Sequence, residues 1–120
     1  MLAAVCFLVA GVGLGLFMAA TNDHSLAPVH AHTNLLGWVS SALIGFFYAL
    51  APRAATPRMI WTHLAVHASG VFLMMIGLTG VLKQDEFLSV VLGPGVILTV
   101  AAFVLFAVAV VRTMFCGDLR

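Results

Sequence analysis

The side chains of this chain that are best suited to chemistry are its histidines, and four of the five stand in two pairs. His30 and His32 lie in the string Val29-His30-Ala31-His32-Thr33-Asn34-Leu35-Leu36-Gly37-Trp38, and His63 and His67 lie in a second apolar stretch. A histidine surrounded by hydrocarbon is costly, so it indicates a functional site whose partner must be found. Neutral imidazole is a common metal ligand, and iron, copper and zinc are therefore the candidate partners.

Four apolar runs hold these histidines. The 120 residues are 63% hydrophobic and 8% charged, whereas about 25% of the residues in a soluble domain are charged. The runs cover approximately residues 2–20, 28–50, 59–82 and 88–111, and each reaches the roughly 20 residues that a helix needs to cross a bilayer. None of them alternates as a strand does. We predict an all-α, integral membrane four-helix bundle that forms a single domain over residues 1–120, in contact with the lipid bilayer.

The positive charges indicate how the chain is threaded. Lys83 lies alone on one side of the predicted bundle, and the arginines lie on the other: Arg53, Arg58, Arg112 and Arg120. The positive-inside rule then places both termini in the cytoplasm. We expect a multi-pass protein of a bacterial inner membrane. A net charge of +1 gives no indication of nucleic-acid binding.

One segment resembles a known family. His32-Thr33-Asn34-Leu35-Leu36, followed by Gly45, Tyr48 and Pro52, is similar to the second transmembrane helix of the catalytic subunit of haem-copper oxidases, and most similar to that of nitric oxide reductases. The resemblance covers roughly residues 29–52, and it implies that His32 is an axial ligand of haem b. The other metal ligands of that family lie on later helices that have no counterpart here. The resemblance therefore implies haem binding and not a complete oxidase or reductase.

The second histidine pair suits the same cofactor. His63 and His67 are four residues apart, so they share one face of the predicted third helix, and Gly70 and Gly77 continue that face. Imidazoles beside glycines leave space for a flat macrocycle against the helix. The alternative is that the two histidines form polar contacts between helices. Asn34 is a candidate for hydrogen bonding near the haem.

The depth of the histidines limits how they can pair on one iron. In antiparallel helices His32 and His67 differ in depth by about 15 Å, so a haem between them within one chain is strained. A parallel dimer brings His32 of two copies to the same depth, and His32 can also pair there with His30 or His24 of the second copy. We favour the dimer, while the site between His32 and His67 of one chain stays open.

A regular second helix places His30 about 200° from His32 and puts Leu36, Val39 and Leu43 on the face of His32. His30 and His32 then cannot easily share a metal. If the helix start is irregular, His24, His30 and His32 together form a copper or zinc site.

The remaining helices are expected to provide packing. Gly11 and Gly15 form a G-x-x-x-G pair, for which we favour packing within the chain over a dimer contact. We expect Pro94 to kink the fourth helix, which closes the bundle.

The leading functional hypothesis is a membrane cytochrome that transfers electrons through a bis-histidine haem. The haem is expected to be of the non-covalent b type, because the sequence has no C-x-x-C-H attachment string. A quinol or a periplasmic electron carrier is the expected partner. The alternatives are a haem or copper carrier, an assembly factor, a gas-sensing haem protein, or a helical subunit whose histidines only pack.

Overall fold

The computed structural model describes residues 1–52 and 55–116. Their regular secondary structure is entirely helical, and they contain no strand. The four long helices are α1 (Leu2–Thr21), α2 (Ala27–Leu50), α3 (Pro57–Lys83) and α4 (Leu92–Cys116). Counting the preceding turn Glu86–Ser89 with α4, each is long and apolar enough to span a bilayer, as expected for a multi-pass membrane protein. Arg53 and Arg120, which contributed to the predicted orientation, lie outside the described residues.

The two ends of the molecule are named here by their charges. Arg58 and Arg112 lie at the end where α2 finishes and α3 begins, which we call the arginine end. Lys83 lies at the opposite end, the lysine end, where it forms an ion pair with Asp23 at 3.7 Å.

Helix α1 packs on α2 through glycines. A Cβ at Gly11 would lie 2.6 Å from the amide oxygen of Asn34, and a Cβ at Gly15 would lie 2.9 Å from the ring of His30. The G-x-x-x-G pair therefore brings these two helices of the same chain together, which confirms the predicted packing within the chain.

Helix α2 is irregular at the motif. Thr33–Val39 forms a π-helix between two α-helical stretches, and the main-chain N–H of Ser40 donates to the carbonyl of Leu35. The prediction of a regular helix is wrong here, because each turn of a π-helix contains an additional residue. As a result Leu36 turns toward a buried cluster with Val71, while Val39 stays exposed together with His32.

Helices α3 and α4 approach each other at the glycines of α3. A Cβ at Gly70 would lie 2.7 Å from the main-chain nitrogen of Thr99, and a Cβ at Gly77 would collide with the main chain of Leu92. The space that the sequence analysis assigned to a macrocycle is thus filled by α4 in this structure. Glycine permits either use, and the close packing of the two helices decides which one occurs.

The start of α4 differs from the prediction. The chain turns at Val90 and Val91, and α4 begins at Leu92 rather than at residue 88. Pro94 is the third residue of α4, where its missing N–H costs little, so the interruption precedes the proline. The predicted kink at Pro94 is therefore wrong.

Helices α2 and α3 form the inner pair of the arrangement. Helix α1 packs on α2 and α4 packs on α3, while α1 and α4 form no extensive interface within the described ranges. At the arginine end Phe106 of α4 packs edge-on against Phe47 of α2, with ring centroids 5.2 Å apart. The fourth helix therefore packs against α2 and α3 and does not close the bundle against α1.

Candidate functional site

His32 lies on the exposed side of α2, one residue before the π-helical segment. Its Nδ1 lies 2.7 Å from the carbonyl oxygen of Pro28. Because a carbonyl only accepts, Nδ1 must carry the hydrogen and donate it, and the lone pair of the neutral ring is then on Nε2. A histidine that ligates a metal is usually oriented in this way, with its other ring nitrogen donating to a carbonyl or carboxylate.

His30 faces α1 instead. Its Nδ1–H donates to the carbonyl of Gly11 at 2.8 Å, and the side-chain amide of Asn34 donates to the carbonyl of His30 at 2.9 Å. These bonds place His30 and Asn34 in the interface between α1 and α2. The prediction that His30 and His32 do not converge on one metal agrees with this arrangement, and Asn34 forms no hydrogen bond to the ring of His32.

His24 lies exposed in the loop before α2. Within residues 1–52 and 55–116, no group of three or more histidine, cysteine, aspartate or glutamate side chains is arranged to hold a metal ion. The irregular helix that the sequence analysis considered does exist, but it follows His32 and does not bring His24, His30 and His32 together.

His63 is buried and bonded to a residue that the sequence analysis did not pair with it. The phenol oxygen of Tyr48 lies 2.8 Å from Nδ1 of His63, and the two side chains are only 8% and 2% exposed. Nε2 of His63 has no hydrogen-bond partner among the described residues, although the main chain of Ala102 passes near it. Tyr48 is the only tyrosine in the sequence and lies near the end of α2, while His63 lies near the start of α3. The similar depth of Tyr48 and His63 is the sequence feature from which this pairing could have been predicted.

His67 is the most deeply buried of the five histidines, at 1% exposure. Its Nε2–H donates to the carbonyl of Leu36 at 3.0 Å, and its Nδ1 is without a partner in the described part of the chain. The rings of His63 and His67 are 6.5 Å apart. The spacing argument for a shared face is thus confirmed, and both rings lie between α2, α3 and α4.

The predicted difference in depth between His32 and His67 is too large. His67 bonds to Leu36, which is one turn, or about 6 Å, beyond His32, and not about 15 Å beyond it. Two features reduce the offset. Helix α3 begins at Pro57 rather than at residue 59, and the wide turns of the π segment shorten α2. His32 nevertheless faces away from the bundle and His67 faces into it.

Two cavities flank Tyr48 at the arginine end. One, of about 250 Å³, lies between α2, α3 and α4 and is lined by Tyr48, Arg58, Met59, Thr62, His63, Leu105, Val108, Ala109 and Arg112. The other, of about 230 Å³, lies between α2 and α3 beside Met1 and is lined in part by Ser41. The hydroxyl of Ser41 is buried and has no hydrogen-bond partner among the described residues.

The structure separates the candidate ligands into two environments. His32 offers an exposed lone pair on the outside of α2. His63 and His67 are enclosed, and Leu98 and Thr99 of α4 pack against Gly70 on the same face of α3. In this packing, His32 is the candidate ligand whose free ring nitrogen can be approached without separating helices.

Comparison with protein family models, with curated proteins and with solved structures finds no match to this chain. These comparisons do not link the chain to haem-copper oxidases, so the resemblance of residues 29–52 stays a prediction.

Proposed function

We propose that this chain is a subunit of a membrane b-type haem protein and that Nε2 of His32 is an iron ligand. The observation that carries the proposal is the hydrogen bond from Nδ1–H of His32 to the carbonyl of Pro28. This bond fixes the orientation of the imidazole and leaves its lone pair on the exposed side of the helix. The similarity of residues 29–52 to a haem-binding helix supports the same residue.

The exposure of His32 favours a haem shared by two copies of the chain. The face around His32 is apolar and unpartnered in the single chain, and it includes Leu35 and Leu43, which are 61% and 59% exposed. A two-fold axis along the membrane normal would place two copies of His32 at one depth, on opposite sides of one haem. The alternative with His32 and His67 in one chain is less favoured, because His67 faces the interior and its Nε2 already bonds to Leu36.

The chemistry follows from two imidazoles on one iron. His32 of two copies would hold the haem without an open coordination position, and the haem would supply single-electron transfer. The residues of this chain would orient the ligand through Pro28 and exclude water through the apolar side chains beside His32, and both effects influence the potential. We propose a quinol or a periplasmic carrier as the redox partner, and a bacterial inner membrane with both termini in the cytoplasm as the setting.

The ligand is tested by comparing His32→Ala with His24→Ala. Both histidines are exposed, and His24 lies in the loop outside the helices, which makes it a matched control. We expect the purified wild type and His24→Ala to show sharp α and β absorption bands on reduction that carbon monoxide does not change, and His32→Ala to lose the haem. Full haem retention by His32→Ala would contradict the proposal. Binding of carbon monoxide by the wild type would indicate a sensor or an enzyme instead.

The shared site is tested by the stoichiometry of the intact complex. Native mass spectrometry should give one haem for two chains, with the haem lost when the dimer dissociates. One haem retained by a single chain would contradict the shared site while leaving haem binding itself in place.

The orientation is tested with reporters fused to the C-terminus. Green fluorescent protein fused there should fluoresce, and alkaline phosphatase fused there should be inactive, because the latter folds only outside the cytoplasm. The reverse pattern would contradict cytoplasmic termini.

A further inference from the structure

The larger cavity at the arginine end combines apolar and positively charged surface. Its walls are mainly apolar side chains of α3 and α4, among them Met59, Leu105 and Val108. Arg58 and Arg112 also line it, and both are exposed at the end of the bundle. Positive charge next to an apolar cleft suits an anionic amphiphile rather than a freely soluble ligand.

The polar groups of this cavity lie at two depths. Arg58 is the second residue of α3, and His63 lies five residues further, or about 7 Å deeper in the bundle. Tyr48 lies at the depth of His63, because their side chains are bonded to each other. The guanidinium groups therefore stand at the mouth and the pair of Tyr48 and His63 stands below them.

This pair retains a hydrogen that needs an acceptor. A neutral imidazole carries one N–H and a phenol carries one O–H, and only one of these two hydrogens can lie between Tyr48 and His63. If Tyr48 donates, the remaining hydrogen is on Nε2 of His63, which is buried beside the main chain of Ala102. If Nδ1–H of His63 donates instead, the O–H of Tyr48 has no other acceptor in the hydrogen bonds of the described chain, and Tyr48 lines the cleft. Leaving that donor unpaired is unfavourable, so the second arrangement is suited to a ligand oxygen that accepts.

We infer that this cleft binds an anionic glycerophospholipid. The lipid phosphate pairs with Arg58 and Arg112, since guanidinium groups match phosphate oxygens in geometry and charge. In such a lipid the ester carbonyls lie just below the phosphate, at the level where the pair of Tyr48 and His63 offers its donor. An acyl chain then continues along Leu105 and Val108.

This inference is independent of the haem. The cleft lies at the arginine end, whereas His32 lies near the start of α2 toward the lysine end. A protein without haem would still bind the lipid, and a protein with altered lipid binding would still hold haem at His32.

The experiment measures lipid retention by native mass spectrometry of the delipidated, detergent-purified full chain. Phosphatidylglycerol and phosphatidylcholine with the same acyl chains are offered to the wild type, to the double variant Arg58→Gln/Arg112→Gln, and to Lys83→Gln. Lys83 carries a similar charge at the opposite end and serves as the control. We expect the wild type and Lys83→Gln to retain phosphatidylglycerol about tenfold better than phosphatidylcholine, and the double variant to lose this preference.

Additional measurements keep the test decisive. Tyr48→Phe removes the O–H that lines the cleft and should weaken retention of both lipids about threefold without removing the preference for phosphatidylglycerol. If the double variant does not fold, Arg112→Gln alone should still lower the preference.

Equal retention of the two lipids by the wild type, or an unchanged preference in the arginine variants, would overturn the inference. Displacement of the lipid by millimolar inorganic phosphate would assign the site to a free anion, and displacement by a quinone would assign it to a quinone; either result would also overturn it.

Discussion

Tyr48 and His63 join the neighbouring ends of α2 and α3 through a hydrogen bond of 2.8 Å between the phenol oxygen and Nδ1. Both rings are buried and meet edge-on, with centroids 5.7 Å apart. Both side chains are buried, so each group depends on the other for a hydrogen-bond partner. The bond therefore fixes the positions of the two helices beside the cleft at the arginine end.

Removing the phenol oxygen should destabilise the fold. Tyr48→Phe leaves Nδ1 of His63 buried without a partner, and we expect the free energy of unfolding to fall by about 1–3 kcal/mol. Unfolding in a mixed-micelle denaturant titration measures this. Ser69→Ala is the control, because it removes a hydroxyl that is exposed and bonds only within its own helix. Equal stability of Tyr48→Phe and the wild type would contradict the structural role of the bond.

A methyl group at Gly77 should separate α3 from α4. The Cβ of Gly77→Ala would collide with the main chain of Leu92, which cannot move as a flexible side chain does. We expect a loss of about 1–3 kcal/mol in the free energy of unfolding, typical of overpacking. Gly13→Ala is the matched control, since a Cβ at Gly13 would have no heavy atom within 4 Å outside its chain neighbours and the main chain of its own helix. A difference of less than about 0.5 kcal/mol between the two variants would argue against the tight interface.

The loop at the lysine end should respond to acid. The main-chain N–H of Ser25 donates to the carboxylate of Asp23 at 2.9 Å and is the main cause that lowers the pKa of Asp23 below its ordinary value of 3.8, with a smaller contribution from Lys83. Because the folded pKa is depressed, this carboxylate contributes to stability above its ordinary pKa, and the contribution is lost as the pH falls through the folded value.

Carbon-detected NMR of the Asp23 carboxyl group in micelles measures this pKa. We expect a value below 3.8 in the wild type, and only a small upward change in Lys83→Gln, because the main-chain donor of Ser25 remains. A full return to the ordinary value in Lys83→Gln would show that the ion pair, and not the loop main chain, holds the carboxylate.

Trp61 should contact lipid near the bilayer surface. Its side chain is 70% exposed, and it lies four residues, or about 6 Å, from the first residue of α3. In Trp38→Phe, which leaves Trp61 as the only tryptophan, we expect stronger quenching by lipids brominated near the headgroup than by lipids brominated near the chain end. Quenching by aqueous acrylamide without any quenching by brominated lipid would place Trp61 outside the bilayer.

The spans of the four helices were predictable because the apolar length needed to cross a bilayer is a property of consecutive residues. The shared face of His63 and His67 was predictable for a similar reason, since a spacing of four residues fixes a common face in any regular helix. The close approach of another helix at Gly11 and Gly15 also followed from small residues at helical spacing. These features depend on local sequence, and the structure bears them out except at the start of α4, which lies at Leu92.

Features that depend on which helices become neighbours were not predictable. The π-helical segment at Thr33–Val39 moved Leu36 inward, to a position where its carbonyl accepts a hydrogen bond from His67, and no local pattern in the sequence indicates that extra residue. Gly70 and Gly77 offer a smooth surface to a macrocycle or to another helix equally, and the close approach of α4 decided between them. His32 faces outward because no other helix of the described chain covers its side of α2. The sequence by itself determined the four long apolar helices and the shared face of His63 and His67, whereas the tertiary structure decided which faces are filled, because filling a face requires a neighbour that lies far away in the sequence.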